Sequence, residues 1–278
     1  CAGATEVNDI LLQVEGLSKR FGGVEAVAGV SFHVRRGEIY SLIGPNGAGK
    51  TTTFNMISSV VRPSGGTVHF EGRDITGTAS HRMSAIGIGR TFQNLAVFKH
   101  ATVVENLLVG RHCHMRSNVF DAAWFFGRAR REELEHRRKV EEIIDFLEIE
   151  DIRDMPVGTL SYGMQKRVEL GRALATEPRL LLLDEPLEGL APIIVEELLR
   201  AIARVTREEG LSAIIVEQHP QAILAISHKA LVLDHGEVVH SGTAQELREQ
   251  PDLLNKLLGV TQKTFESKKS RELDLTCS

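Results

Sequence analysis

The sequence predicts an α/β protein with a parallel-containing mixed sheet, an antiparallel β lobe and a helical lobe. Residues 44–52 follow the pattern Gly-x4-Gly-Lys-Ser/Thr between a short apolar segment and a predicted helix, the arrangement of a P-loop. Residues 180–183 are four consecutive leucines, as expected for a strand buried on both faces of a parallel sheet. Residues 103–160 carry apolar side chains at helical spacing. These three observations predict a P-loop core with an attached helical lobe.

The first part of the chain is predicted to be rich in strands. Residues 10–14 and 27–34 alternate apolar and polar side chains, and residues 67–70 lie between glycines, so all three segments are assigned to one antiparallel sheet. Residues 87–94 follow as a further short strand.

The second half of the chain alternates strands and helices, as a parallel sheet requires. The predicted elements are the strand 180–183, a helix over 192–209, a strand over 212–217, a hairpin over 230–240, a helix over 244–258 and a charged tail over 261–278. Residues 118–126 hold the single tryptophan and are the most aromatic stretch of the chain. This stretch is either a buried connection between helices or a hydrophobic patch that docks a partner.

Composition excludes several classes of protein. The chain has 278 residues, a formal net charge of −4 and a pI of about 6.3, which does not favour nucleic acid as a partner. No apolar run of about eighteen residues predicts a membrane span, and no signal-peptide pattern is found. Three scattered cysteines make neither a disulfide framework nor a metal site. The sequence opens on Cys1 rather than methionine, which we interpret as an artificial or processed start. These features predict a reduced, cytosolic protein.

The P-loop is the first motif with a chemical function. It consists of Gly44, Pro45, Asn46, Gly47, Ala48, Gly49, Lys50, Thr51 and Thr52. Its glycines allow successive backbone N–H groups to point inward and hold phosphate oxygens, together with the positive end of the following helix. We expect Lys50 to reach the outer phosphates and the Thr51 hydroxyl to bind Mg²⁺. The alternative is a glycine-rich turn that matches the pattern by chance.

Two acids follow the four leucines at the end of the predicted strand. Asp184 is suited to hold the ligand shell of Mg²⁺, and Glu185 is suited to orient and deprotonate an attacking water. The alternative is a strand end with two solvated acids.

With residues 160–165 a specific family resemblance emerges. Leu-Ser-Tyr-Gly-Met-Gln resembles the signature loop of ABC ATPases, with Tyr162 at the position of a commoner glycine. Gln93 matches the Q-loop of that family, and Phe21 matches the aromatic residue that stacks on adenine. The motifs stand in family order, and the resemblance covers residues 11–260.

The resemblance implies binding and hydrolysis of ATP with Mg²⁺, whose ligands would be Thr51, Gln93 and Asp184. The signature residues Ser161, Tyr162, Gly163 and Met164 would contact ATP bound to a second subunit, since a helix N-terminus and a hydroxyl suit a γ-phosphate. Two ATP molecules would then lie between two subunits arranged head to tail. The alternatives are a surface amide for Gln93 and a core aromatic for Phe21.

Two positions depart from the family pattern. The position of the family's switch histidine is occupied by Gln218, with His219 one place later, so either residue is a candidate for the contact with the γ-phosphate. Ala191 stands where many members carry an aspartate that takes part in cross-talk between the two ATP sites.

Within the family, the chain is most similar to ATPase subunits of importers for branched-chain amino acids, amides or urea. The stretches that carry this similarity are residues 87–94, 103–110, 160–165 and 216–218. The similarity implies a second ATPase subunit, identical or different, and transmembrane permease subunits as partners, with a solute-binding protein as an indirect one. It also implies a peripheral position on the cytoplasmic face of the inner membrane.

The implied ATPase domain spans residues 10–260. Its core and β lobe comprise residues 10–94 and 166–260, and its helical lobe comprises residues 95–165. The alternatives are an export-type ABC ATPase for lipid or polysaccharide, a soluble ABC ATPase without a permease, and a binding module without hydrolysis. The intact Glu185 disfavours the last of these.

Overall fold

The computed structural model describes residues 9–91, 97–114, 126–218 and 220–259, with the backbone alone at residues 126–130. Its strands are β1 Ile10–Phe21, β2 Val24–Arg35, β3 Ile39–Ile43, β4 Gly65–Phe70, β5 Arg73–Asp74, β6 Ile88–Arg90, β7 Leu180–Asp184, β8 Ser212–Glu217, β9 Lys229–Asp234 and β10 Glu237–Thr243. Its α-helices are α1 Lys50–Ile57, α2 Val103–Arg111, α3 Phe126–Leu147, α4 Tyr162–Leu174, α5 Pro192–Glu209, α6 Pro220–Leu224, α7 Ala244–Glu249 and α8 Pro251–Leu257.

The strands form an antiparallel sheet and a mixed sheet, which confirms the predicted fold class. The antiparallel sheet has the order β2-β1-β4-β5, and Val14 pairs with Phe32 on one side and with Val68 on the other. The mixed sheet has the order β10-β9-β3-β8-β7-β6, and among these described strands only the edge strand β10 is antiparallel to its neighbour.

The leucines of β7 explain why a run without alternation is a strand. Leu180 and Leu182 belong to the apolar cluster shared with the antiparallel sheet, whereas Leu181 and Leu183 belong to the cluster shared with the helices. Successive side chains of a strand point to opposite faces, so a strand covered on both sides needs apolar residues at every position.

The sheet order places the site. β8 lies between β3 and β7, with Ile43 opposite Glu217 and Asp184 opposite Val216. The carboxyl ends of these three parallel strands therefore meet at one edge, which is where open α/β sheets bind ligands.

Helices cover the other face of the mixed sheet. Contacts of α2 with α3 and α4 build the helical lobe, and the expected lobe boundary at residue 165 falls inside α4. Among the described residues, none of the helices combines the length and the hydrophobicity that a bilayer crossing requires.

One predicted helix is divided in two. Residues 244–258 form α7 and α8 because Pro251 starts the second helix, and the residue before it, Gln250, takes a non-helical conformation (φ −122°, ψ 68°). A proline disfavours the helical region for the residue that precedes it. The aromatic stretch 118–126 lies outside the described residues, apart from the backbone of Phe126.

Candidate active site

The P-loop connects the buried strand β3 to helix α1. Gly44 and Gly49 take positive φ angles of 155° and 93°. A Cβ atom at Gly44 would lie 2.1 Å from the backbone oxygen of Leu233, and one at Gly49 would lie 2.7 Å from the backbone oxygen of Ala26. Both positions therefore require glycine, and the loop can curl tightly enough to direct its amides inward.

The Lys50 side chain lies within this loop. Its ammonium donates hydrogen bonds to the backbone oxygens of Gly44 at 2.8 Å and Pro45 at 2.9 Å. Burial lowers the pKa of Lys50, and the negative charges of Glu185 and Asp184 oppose that shift. A cation held in this way is placed to pair with anionic oxygens, which accept stronger hydrogen bonds than carbonyl oxygens do.

A cavity of about 280 Å³ opens beside the loop. It is lined by Ala26, Asn46, Gly47, Ala48, Gly49, Lys50, Thr51, Thr52, Glu185 and Gln218. The structure thus brings most of the predicted loop residues together with two residues from the ends of β7 and β8. Pro45 instead lines a neighbouring groove, which Gln218 also borders.

Asp184 meets the requirements of a cation ligand. Its side chain is 1% exposed, and neither carboxylate oxygen has a hydrogen-bond partner within the described part of the chain. Burial raises the pKa of Asp184 to about 6, against the opposing charge of Arg90. Burying oxygens without a hydrogen-bond partner destabilises the folded state, and carboxylate oxygens are ligands that Mg²⁺ prefers. A bound Mg²⁺ would therefore satisfy the Asp184 carboxylate.

The donor set at this edge fits Mg²⁺ bound together with a nucleotide. The described residues contain no group of three or more His, Cys, Asp or Glu that could hold a metal ion by themselves. Phosphate oxygens, waters and the Thr51 hydroxyl would complete the ligand shell, as is usual for this ion.

Glu185 takes a strained conformation at the edge of the cavity, with φ at +47°. Its amide donates to the backbone oxygen of Val216 at 2.9 Å. The side-chain amide of Gln218 donates to the Glu185 carboxylate, with 2.6 Å between Nε2 and Oε1. Gln218 is therefore in direct contact with the proposed base, whereas Gln93 and His219 lie outside the described residues.

Sequence reasoning missed two charged residues at this edge. Glu217 is 4% exposed, and burial raises the pKa of its carboxyl group to about 7. Arg90 donates to Ser58 Oγ at 2.6 Å and to Asn55 Oδ1 at 2.8 Å, which ties the end of β6 to α1. In the sequence, Arg90 and Glu217 could have been recognised because each is a charged residue at the end of an apolar strand.

The signature residues stand apart from the cavity. Ser161 precedes α4 and accepts a hydrogen bond from the Met164 amide at 3.4 Å, while Tyr162 is 44% exposed. A Cβ atom at Gly163 would lie 2.8 Å from Cγ2 of Ile194, so any larger residue there would displace the Ile194 side chain between α4 and α5. In the described structure, no signature residue lines the P-loop cavity.

Phe21 lies at the end of β1 and is 51% exposed. The Lys19 ammonium lies 5.1 Å from the centroid of its ring. This exposure excludes a core position, and about half of the residue is accessible to a planar group that could stack on the ring.

Comparisons with known proteins agree on one family. The family model described as "ABC transporter" matches residues 27–188. The high-affinity branched-chain amino acid transport ATP-binding protein BraF of Pseudomonas aeruginosa is 36% identical over 249 residues, which cover 90% of this chain and 98% of BraF. The lipopolysaccharide export system ATP-binding protein LptB of Acidithiobacillus ferridurans is 35% identical over 249 residues, covering 90% and 97%. A solved ATP-binding cassette of an ABC transporter in its ADP conformation is 32% identical, with a TM-score of 0.77 and coverage of 88% and 97%.

Proposed function

Since the chain belongs to the ABC transporter family, we propose that it powers an importer of branched-chain amino acids or related small polar solutes. The chain is an ABC ATPase that hydrolyses ATP. The observation that carries the import proposal is the similarity to BraF, which extends over nearly the whole of both chains. The similarity to LptB is almost as high, so lipopolysaccharide export is the second candidate.

The P-loop cavity supports a division of roles in hydrolysis. The loop amides and Lys50 hold the phosphates of ATP, and Glu185 accepts a proton from the attacking water. Gln218 orients the Glu185 carboxylate through the 2.6 Å contact. Thr51, Gln93 and Asp184 would hold Mg²⁺, which when bound neutralises charge that develops on the phosphoryl oxygens.

The separation of the signature loop from the cavity supports a site shared between two subunits. ABC cassettes dimerise and work within transporter complexes. Ser161 is exposed at the start of α4, where the helix dipole and its amides suit a phosphate of a neighbouring subunit. We infer that this chain pairs with an identical or a different ATPase subunit.

The same proposal includes the domain organisation of the chain, its further partners and its location. The ATPase domain spans residues 10–260, its helical lobe contacts the permease subunits, and a solute-binding protein acts on them from the other side. The chain then sits peripherally on the cytoplasmic face of the membrane. Residues 261–278, which the sequence predicts to be a charged tail, lie outside the described residues.

Reconstitution distinguishes import from export. The tagged chain is purified from native membranes together with its bound permeases, and the complex is placed in proteoliposomes. We expect uptake of labelled leucine, isoleucine or valine that depends on MgATP and is lost with Glu185→Gln. Release of lipopolysaccharide from the complex, without uptake of any of these amino acids or of urea, would favour the second candidate.

A further inference from the structure

The end of β8 places a buried carboxyl group beside the segment that follows Glu185. Glu217 accepts a hydrogen bond from the Leu187 amide, with 2.9 Å between N and Oε1. Its other oxygen accepts from the Gln218 amide at 3.3 Å. The side chain is almost completely buried and does not line the P-loop cavity. It is therefore placed to hold protein backbone rather than substrate.

The backbone that Glu217 holds is under strain. Glu185 takes a φ angle of +47°, a conformation that a residue with a side chain keeps only when its surroundings enforce it. On the N-terminal side, the Glu185 amide is bound by the Val216 carbonyl. On the C-terminal side, Pro186 has no N–H group to donate. Leu187 is thus the first residue after Glu185 whose amide can be held, and Glu217 is the acceptor.

Glu217 and Gln218 act on the same residue from two sides. The Gln218 side chain contacts the Glu185 carboxylate, and the Glu217 side chain holds the backbone two residues further on. Both side chains come from the end of β8, which pairs directly with β3 and β7. The end of β8 therefore orients the Glu185 side chain through Gln218 and restrains the backbone that follows Glu185 through Glu217.

We propose that Glu217 is a positioning residue for ATP hydrolysis, which fixes the backbone after Glu185 and so directs the Glu185 carboxylate into the P-loop cavity. The inference rests on the proposed role of Glu185 as the base. In this proposal Glu217 acts only as a hydrogen-bond acceptor for the backbone and does not contact the substrate.

Substitutions at position 217 test this role. Glu217→Gln keeps an acceptor of the same length, and Glu217→Met keeps a side chain of similar size but removes the acceptor. For each purified protein, kcat, KM for ATP and the melting temperature are measured, with the exposed Glu188→Gln as the matched control. We expect Glu217→Gln and Glu188→Gln to keep kcat within about threefold of wild type, because Glu217→Gln retains one acceptor for the Leu187 amide and gives up only the longer bond from the Gln218 amide. We expect Glu217→Met to lower kcat by about ten- to a hundredfold with KM little changed, because the catalytic group is misplaced.

A wild-type kcat in Glu217→Met at an unchanged melting temperature would overturn the inference. An equal loss in Glu217→Gln would also overturn it, because the acceptor is still present there. If Glu217→Met does not fold, the comparison of Glu217→Asp with Glu217→Gln tests the proposal instead. Glu217→Asp keeps the charge but is too short to reach the Leu187 amide, so its kcat should fall below that of Glu217→Gln, and equal kcat values would refute the proposal.

The double variant separates this inference from the assignment of the base. If Glu217 acts through Glu185, adding Glu217→Met to Glu185→Gln should cost less than about a twofold further loss in kcat, since residues that act as a unit are not additive. A full additional loss would show that Glu217 acts elsewhere. Wild-type turnover in Glu185→Gln alone would refute Glu185 as the base and, with it, the positioning role of Glu217, but it would leave the import proposal, which rests on the similarity to BraF, untouched.

Discussion

The side-chain amide of Gln218 lies 2.6 Å from the carboxylate of Glu185, and both residues line the P-loop cavity. One comes from the end of β8 and the other follows β7, so the contact joins two neighbouring strands of the mixed sheet. A neutral amide that donates to a carboxylate leaves the carboxylate able to accept a proton. This contact therefore orients the proposed base without neutralising it.

Replacing Gln218 by leucine should lower turnover. The variant keeps a similar size but cannot donate to Glu185, so we expect kcat to fall by about ten- to a hundredfold, as for a misplaced catalytic group. ATP affinity should change little, because the P-loop amides and Lys50 are intact. Steady-state kinetics and calorimetry measure the two effects. His219→Ala is the comparison: a larger loss there than in Gln218→Leu would assign the switch role to the histidine.

Lys50→Ala should weaken ATP binding. The ammonium is the buried cation of the P-loop, held by the carbonyls of Gly44 and Pro45, and hydrogen bonds to a charged group contribute about 1.5–3 kcal/mol. Affinity should therefore fall by about ten- to a hundredfold, as titration calorimetry with ATP will detect. Lys99→Ala, at an exposed lysine, serves as the control. Equal affinities in both variants would refute the P-loop as the phosphate site.

Glu185→Gln should abolish most hydrolysis and stabilise a dimer. A general base contributes about 10²- to 10⁴-fold to the rate, whereas ATP binding by the P-loop is untouched. Removing the negative charge near the γ-phosphate also relieves repulsion, so ATP should remain trapped between two subunits. Light scattering after size exclusion, with and without MgATP, measures the mass of the complex.

Ser161→Arg in the Glu185→Gln background is the control for that dimer. The arginine should obstruct the phosphate of the opposing subunit and leave the protein monomeric in MgATP. The partner ATPase subunit is added if the natural pair is a heterodimer. A Glu185→Gln protein that loses hydrolysis but stays monomeric with every candidate partner would contradict the shared site.

The pH dependence of stability should report Glu217. Burial raises the pKa of Glu217 from 4.5 to about 7. Between these two pH values, the Glu217 carboxyl group is therefore protonated in the folded protein and ionised in the unfolded chain. Stability therefore falls as the pH rises from 4.5 towards 7 and levels off above that. At about 1.4 kcal/mol per pKa unit, the loss amounts to about 3 kcal/mol.

Glu217→Gln removes the ionisation and should remove this contribution. The difference in the free energy of unfolding between Glu217→Gln and wild type should shift in favour of the variant as the pH rises from about 5 to about 7. Denaturant-induced unfolding at several pH values measures it. A constant difference over that range would show that Glu217 titrates at an ordinary pKa in the folded protein.

The sequence by itself determined the fold class and the chemistry of the P-loop. The spacing of its glycines and Lys50 was enough to identify the loop. The structure adds the reason for two of the glycines, because a Cβ atom at Gly44 or Gly49 would collide with a carbonyl of a distant residue. The four leucines of β7 identified a strand buried on both faces, since only such a strand needs apolar side chains at every position. These features are local, so the order of residues is enough to recognise them.

Only the tertiary structure decided which residues surround Glu185. The strand order β3-β8-β7 brings the end of β8 between the P-loop and the acids, and the sequence contains no local signal for that order. Two hydrogen bonds in this region each connect residues at least thirty positions apart in the chain. They join Gln218 to Glu185 and Glu217 to the Leu187 amide. Such contacts depend on how strands pair, which is a non-local choice made by the packing of the whole core.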